Sequence, residues 1–169
     1  MSLSREIVAT YRGPGAVMRR LLSQGPREDR ALMLVMAACA MFFVARMPAL
    51  ARQAHLESTE LNPLMGASLL ACMVILPLAL YVLAALSHLV AKLFRGRGTG
   101  YGARLALFWA LLAASPLALL NGLVAGFVGE GLQLSLVGLL WCAVFLWFWI
   151  GGLRAAEWPG DRMAERPAA

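Results

Sequence analysis

The sequence predicts an all-α, polytopic transmembrane helical bundle of about four spans, preceded by a short amphipathic N-terminal helix. Hydrophobic residues make up 61% of the 169 residues and charged residues only 14%, against about 25% charged in soluble domains. The mean hydropathy is +0.73. Long apolar runs alternate with short polar connections, and the basic residues concentrate in every second connection.

Residues 1–30 form a polar, basic segment that we expect on the cytoplasmic side. Apolar residues at helical spacing in 17–22, with arginines beside them, favour a short helix lying on an anionic leaflet. A solvated N-terminus is the alternative. Gly13-Pro14-Gly15 should interrupt any helix before this piece.

The membrane domain is predicted over residues 31–154, with four spans. Arg46 falls near the end of the first span, where its side chain can reach the headgroups. The connection after that span contains His55, Glu57 and Glu60, which we interpret as a solvated loop and not a metal site. The predicted spans cover about residues 30–50, 64–91, 103–127 and 132–153.

The third span carries a stripe of small residues, one at every fourth position. Its last two members form a Gly-x-x-x-Gly pair, which lets helix backbones approach closely in membranes. We therefore expect this span to be the packing centre, with the stripe facing span 4 or its neighbours first and an oligomer interface second. The stripe comprises Ala106, Ala110, Ala114, Ala118, Gly122 and Gly126.

Two prolines fall inside predicted spans. Pro77 and Pro116 each remove a backbone hydrogen bond and should kink their helices. Broken helices surround substrate sites in transporters, so Asn121 and His88 are candidates for lining a path. Structural kinks, and a histidine that reaches water or headgroups at a helix end, are the favoured interpretation.

Residues 92–104 are basic and glycine-rich. They lack the Lys-Ser/Thr pair of a phosphate-binding loop and the strand that precedes it, so we expect a flexible turn. Thirteen of the 15 Lys and Arg fall in this connection, the N-terminal segment or the tail. The positive-inside rule therefore places both termini in the cytoplasm. The tail, residues 155–169, is predicted to be disordered.

Two short elements carry a family resemblance. Tyr11, Gly13 and Pro14 before the first span, and Gly100-Tyr101 at the entry to the third, resemble elements of bacterial Yip1-domain membrane proteins. The resemblance covers about residues 5–155. It implies a small multi-span protein of the inner membrane, although the eukaryotic members have five spans. In eukaryotes the family implies membrane organisation or trafficking with small GTPases.

The sequence contains no paired acids, nucleophile–base pair or metal spacing, so we expect no enzymatic activity, no cofactor and no bound metal. The basic residues flank apolar runs, which argues against nucleic acid as a partner. We expect a non-enzymatic protein that packs in the bilayer with itself or another membrane protein, and no small-molecule substrate is identified. A small transporter or channel, or an accessory subunit of a membrane complex, is the alternative.

Overall fold

The computed structural model describes residues 3–158, and within this range the chain forms eight α-helices and one π-helical turn, with no strand. The predicted all-α fold is confirmed. The helices are α1 (Leu3–Arg12), α2 (Pro14–Leu22), α3 (Glu28–Glu57), α4 (Leu61–Leu70), the π-helical turn (Ala71–Ile75), α5 (Leu76–Leu93), α6 (Gly100–Ala113), α7 (Ser115–Phe127) and α8 (Leu132–Glu157).

Three helical stretches are long and apolar enough to cross a membrane: α3, the continuous stretch Leu61–Leu93, and α8. The pair α6 and α7 passes the same test together but bends by 45° at the break. The described chain therefore has three spans, or four when the bent pair is one span.

Contacts at its two ends show that the bent pair runs the length of the bundle. Arg104, near the start of α6, pairs with Glu28 at the start of α3 at 2.6 Å. At the other end, Gly126 packs against Pro48. Pro48 is 20 residues beyond Glu28, which is about 30 Å at 1.5 Å per residue and about the thickness of a bilayer core. We call the end at Glu28 the basic end and the opposite end the far end.

The boundaries differ from the prediction in two places. The first long helix continues to Glu57, through Pro48 and seven residues past the predicted end of span 1. The last helix continues to Glu157, so residues 155–157, which were assigned to a disordered tail, are helical and packed. The rest of the predicted tail, residues 159–169, lies outside the described range.

The two mid-span prolines have different effects. At Pro77 the stretch Leu61–Leu93 remains one helix, and a π-helical turn immediately precedes the proline. A π-helical turn shifts the local hydrogen bonding, which accommodates a residue that cannot donate. At Pro116 the helix breaks at Ala114, and α7 starts anew with the proline in its first turn, where a missing N–H costs least.

The first two helices form a compact pair that we call the N-terminal hairpin, residues 3–22. Near its open end Arg20 pairs with Glu6 at 2.9 Å. At its closed end the ring of Pro14 packs beside Gly151 of α8. Val17 and Met18 of α2 are buried in the main core. The predicted interfacial helix is thus one arm of a hairpin that packs into the bundle.

The centre of the bundle is α6. Twelve of its 14 residues are buried, because α3, α5, α8 and the N-terminal hairpin all pack around it. Every other long helix exposes a broad apolar face, as expected for helices that contact lipid. The first half of the third predicted span is therefore the packing centre of the described chain.

Candidate functional site

The small-residue stripe contacts two different helices. A Cβ atom at Gly122 would overlap the backbone carbonyl of Ala45, and one at Gly126 would overlap Pro48. The Gly-x-x-x-Gly pair therefore faces α3, a neighbour of the third span, and not span 4. A row of every fourth residue drifts around a helix of 3.6 residues per turn, so its two ends meet different neighbours.

The other members of the stripe face α8 or are buried near the break between α6 and α7. Ala106 lies beside Gly152 of α8, and Ala110 packs with Phe148 of the same helix. Ala114 and Ala118 are buried at and after the break. These side chains pack within the chain, so the described structure offers no exposed small-residue face for oligomers along this stripe.

The break at Pro116 leaves backbone carbonyls without helical partners. In an unbroken helix the N–H groups of residues 116 and 117 would bond to the carbonyls of Leu112 and Ala113. Pro116 has no N–H, and the N–H of Leu117 bonds instead to Ala114. The hydroxyl of Tyr11, from the N-terminal hairpin, donates to the Ala113 carbonyl at 3.3 Å. A residue 102 positions earlier therefore satisfies a carbonyl that the break frees.

A second hydrogen bond joins the N-terminal hairpin to the same helix. The indole N–H of Trp109 donates to the hydroxyl of Thr10 at 3.0 Å, and that hydroxyl donates to the carbonyl of Glu6 at 2.8 Å. Thr10 is fully buried. An unpaired indole N–H would be costly in this apolar core, so this bond fixes the position of α1 on α6.

The ring of Tyr11 packs edge-on against Phe148, with the ring centres 4.9 Å apart. Partial burial raises the pKa of Tyr11, so its phenol stays protonated and able to donate at physiological pH. Phe148 and Trp109 each lie nine residues from the basic-end terminus of their helices. At 1.5 Å per residue, the hairpin reaches about 14 Å into the bundle.

The second polar cluster lies at the basic end. Nδ1 of His88 lies 2.6 Å from Oε1 of Glu157, and the Glu157 carboxylate is fully buried. Its other oxygen accepts from the backbone N–H of Gly98 at 3.1 Å. The carbonyl of Glu157 accepts from the N–H of Arg97 at 2.8 Å. His88 was expected to reach water or headgroups, but its side chain is only 17% exposed.

This cluster explains the alternating glycines. We call residues 94–99 the glycine-rich loop. A Cβ atom at Gly96 would lie 2.9 Å from the Glu157 carboxylate, and one at Gly98 would overlap the backbone of Ala156. Side chains at these positions would therefore push the loop away from α8. The loop was expected to be a flexible turn, and the structure instead holds it against the end of α8.

The far end holds a third set of polar contacts. Arg52 donates to the Gly126 carbonyl at 3.4 Å and so caps the end of α7. The side-chain oxygen of Asn121 is buried without a hydrogen-bond partner among the described residues, and it lies close to Gly138 of α8. His55, Glu57 and Glu60 are exposed. Among residues 3–158, no three His, Cys, Asp or Glu side chains group as metal ligands would.

A Yip1 domain model matches residues 8–164 of the chain. The chain belongs to the Yip1 family. The match begins inside α1 and runs through every span, so most of the N-terminal hairpin, from residue 8 onward, lies within the Yip1 domain. No curated protein and no solved structure matches the chain.

The structure places the two motif elements at opposite ends of α6 of this Yip1 domain. Tyr11, Gly13 and Pro14 form the closed end of the hairpin, against Ala113 and α8. Gly100 and Tyr101 form the first turn of α6, which Thr99 caps by accepting from the N–H of Gly102 at 3.2 Å. The two elements therefore do not meet.

Sequence reasoning missed three residues of these clusters. Glu157 was taken as part of a disordered tail, although it is the first acid after the last apolar run and follows Arg154 closely. Thr10 and Trp109 stand 99 residues apart, and nothing in the sequence pairs them. The one feature of the sequence that could have indicated this cluster was the series of glycines in the glycine-rich loop, because glycines allow another segment to approach the backbone closely.

Proposed function

We propose that this Yip1-family protein is a non-enzymatic protein that organises the membrane around it. The proposal is based on the packing of the N-terminal hairpin into the bundle, where Thr10 and Tyr11 form hydrogen bonds with α6 of the broken third span. The hydrogen bonds of the hairpin to α6 and those of Glu157 to His88 and Gly98 join separate segments of the chain, and this supports a structural role for these side chains.

The hairpin makes the two ends of the bundle unequal. At the basic end the cross-section includes two extra helices, whereas the far end has the spans alone. The exposed face of α1 carries Arg5, near the open end of the hairpin, beside the exposed Val8, a pattern suited to an anionic headgroup next to an apolar contact. A protein wider in one leaflet favours a membrane that curves to accommodate it.

We further propose that the basic end faces the cytoplasm from the inner membrane, because 13 of the 15 Lys and Arg lie in segments assigned to it. Alkaline phosphatase and green fluorescent protein fused after residue 169 test this orientation. Green fluorescence without phosphatase activity is expected, and the reverse pattern would place the C-terminus outside.

Reconstitution tests the organising role. Labelled protein in vesicles, from which thin membrane tubes are pulled, should be enriched on the tubes relative to the flat membrane. The double variant Thr10→Val with Tyr11→Phe frees the hairpin and should lose most of the enrichment. Thr59→Val, in an exposed connection, is the matched control. Equal density of the wild-type protein on tubes and flat membrane would overturn the proposal.

A small transporter is the second candidate, and one observation favours it. Asn121 places a buried side-chain oxygen, with no partner among residues 3–158, five residues after the Pro116 break, and transporters build sites at broken helices. A liposome flux assay with ions and small metabolites tests this candidate. Transport that disappears in Asn121→Leu would support it, and absence of any flux would argue against it.

An accessory role in a larger membrane complex is compatible with the same architecture. The exposed cations of the basic end offer a surface for a partner. Affinity purification in mild detergent, with the hairpin double variant as comparison, would identify such a partner and show whether the hairpin presents it. Recovery of the same proteins with both forms would exclude the hairpin as the binding element.

A further inference from the structure

A groove runs along the lipid-facing side of the bundle between α5 and α8. Leu86, Val90 and Phe94 form one wall, and Ile150, Leu153 and Trp158 form the other. Its volume is about 360 Å³, within the range of about 300–1,000 Å³ typical of small-molecule sites. The groove is open along one side, so a ligand could enter it laterally from the bilayer.

The walls of the groove are apolar throughout. Ser87 is the one hydroxyl-bearing residue of the lining, and its hydroxyl donates to the Ala84 carbonyl at 2.8 Å. That hydroxyl is therefore already satisfied within the helix. The lining also includes the indole rings of Trp149 and Trp158, and the N–H of Trp149 is buried without a hydrogen-bond partner among residues 3–158. The accessible surface of the groove is otherwise apolar, which suits a hydrocarbon chain.

The length of the groove matches one leaflet. Its α5 wall extends from Leu83 to Phe94, which is about 16 Å at 1.5 Å per residue. A hydrocarbon core is about 30 Å thick, so the groove spans about half of it. It ends at the basic end, where α5 gives way to the glycine-rich loop.

Positive charge surrounds that end of the groove. Arg95, Arg97 and Arg154 are all exposed, and Arg95 directly follows Phe94 of one wall while Arg154 directly follows Leu153 of the other. The backbone of Arg97 is bonded to Glu157, next to Trp158, so the loop is held beside the groove. The carboxylate of Glu157 is fully buried and is bonded to His88 and to the N–H of Gly98. Because this carboxylate does not pair with the exposed cations, their charge remains available to a ligand.

We propose that this groove binds an anionic phospholipid of the leaflet at the basic end, with one acyl chain between α5 and α8 and the phosphate against Arg95, Arg97 and Arg154. The apolar walls supply affinity for the chain, and the cations supply preference for a negative headgroup. This site does not involve the N-terminal hairpin, so it can hold or fail independently of the membrane-organising role.

Native mass spectrometry of the full-length protein in mild detergent tests the proposal. The protein is titrated with phosphatidylglycerol and with phosphatidylcholine of identical acyl chains, and the bound lipids are counted from the mass. We expect one phosphatidylglycerol to be retained at concentrations at which phosphatidylcholine is lost. Each cation near a headgroup should contribute about fivefold to this preference.

Two variants distinguish the contribution of the lipid headgroup to binding from that of the acyl chain. Replacing Arg95, Arg97 and Arg154 by Gln should reduce the anionic preference by up to about a hundredfold while leaving weak binding of both lipids. Leu86→Trp should fill the groove and abolish retention of either lipid, because Leu86 is 53% exposed on the wall. Its matched control is Leu78→Trp, on the same helix outside the groove lining.

A charge control completes the design. Replacing Arg19, Arg27 and Lys92 by Gln removes three exposed charges that lie away from the groove, Lys92 being on the opposite face of α5 from the lining, and should leave the retained lipid in place. Equal loss with this control would show general attraction to charge and overturn the site. Retention of both lipids alike, a bare monomer, or a dimer without lipid, in which a second copy covers the groove, would also overturn it.

Discussion

Substituting Gly122 by Ala is the sharpest test of how the spans pack. The new Cβ atom would overlap the backbone carbonyl of Ala45, and a backbone atom cannot rotate away as a side chain can. The helices α3 and α7 would have to separate along their shared face. Gly66 provides a matched control, because it also lies in a helix but a Cβ there meets nothing within 4 Å.

Both substitutions favour the helical backbone to the same extent, but only Gly122→Ala disturbs the packing of neighbouring helices. Replacing a helical Gly by Ala favours the helix by up to about 1 kcal/mol, so Gly66→Ala should be neutral or stabilising. Overpacking costs about 1–3 kcal/mol, and the rigid carbonyl places Gly122→Ala toward the upper part of that range. At about 2–4 °C per kcal/mol for a chain of this size, a packing cost of about 2–3 kcal/mol should place its midpoint about 4–12 °C below that of Gly66→Ala.

Thermal unfolding in mild detergent, followed by tryptophan fluorescence and by recovery from size exclusion, measures both variants against the wild-type protein. A midpoint for Gly122→Ala equal to that of Gly66→Ala would refute the contact between α3 and α7. The same contact changes the meaning of an association assay. Weaker self-association in Gly122→Leu would report damage to the protomer and not loss of an oligomer interface.

Three further predictions concern the polar contacts. Tyr11→Phe should lower the unfolding midpoint by a constant amount below pH ~10 and by a smaller amount above it. The reason is that the raised pKa of Tyr11 in the folded protein lets the phenol of the unfolded chain ionise first. Thermal unfolding at a series of pH values measures this, and the same difference from the wild-type protein at every pH would contradict it. Glu157→Gln should accelerate tryptic cleavage in the glycine-rich loop, with unchanged cleavage as the contrary outcome. Pro116→Ala should restore the N–H of Leu117 to Ala113, displace Tyr11 and accelerate tryptic cleavage after Arg12, whose side chain is exposed but whose backbone lies in the last turn of α1; an unchanged cleavage rate would show that the hairpin does not depend on the break.

Much of the fold follows from the sequence because membrane spans are encoded locally. An apolar run long enough to cross the bilayer needs no distant partner to be recognised, and a proline with no N–H must disturb its own helix. The break at Pro116 is an example, since the prediction depended only on residues within one turn. The span boundaries at Glu57 and Glu157 were missed because polar residues can continue a helix beyond the hydrocarbon.

The clusters that join the segments could not be predicted in the same way. Small residues at 106–126 indicate close packing, but which helix fits each small residue depends on the arrangement of all the spans. Likewise, nothing in the sequence indicates that a particular histidine and a particular glutamate are in contact. Only the fold brings His88 and Glu157 to 2.6 Å across 69 residues.

The bonds between the N-terminal hairpin and the third span impose an order on biogenesis. Thr10 leaves the ribosome 99 residues before its partner Trp109, which at about 5–20 residues per second is about 5–20 s earlier. During that interval, α1 and α2 have no site on α6 to occupy. A segment that is synthesised before the spans is therefore seated only after the third span has been made, inserted and bent.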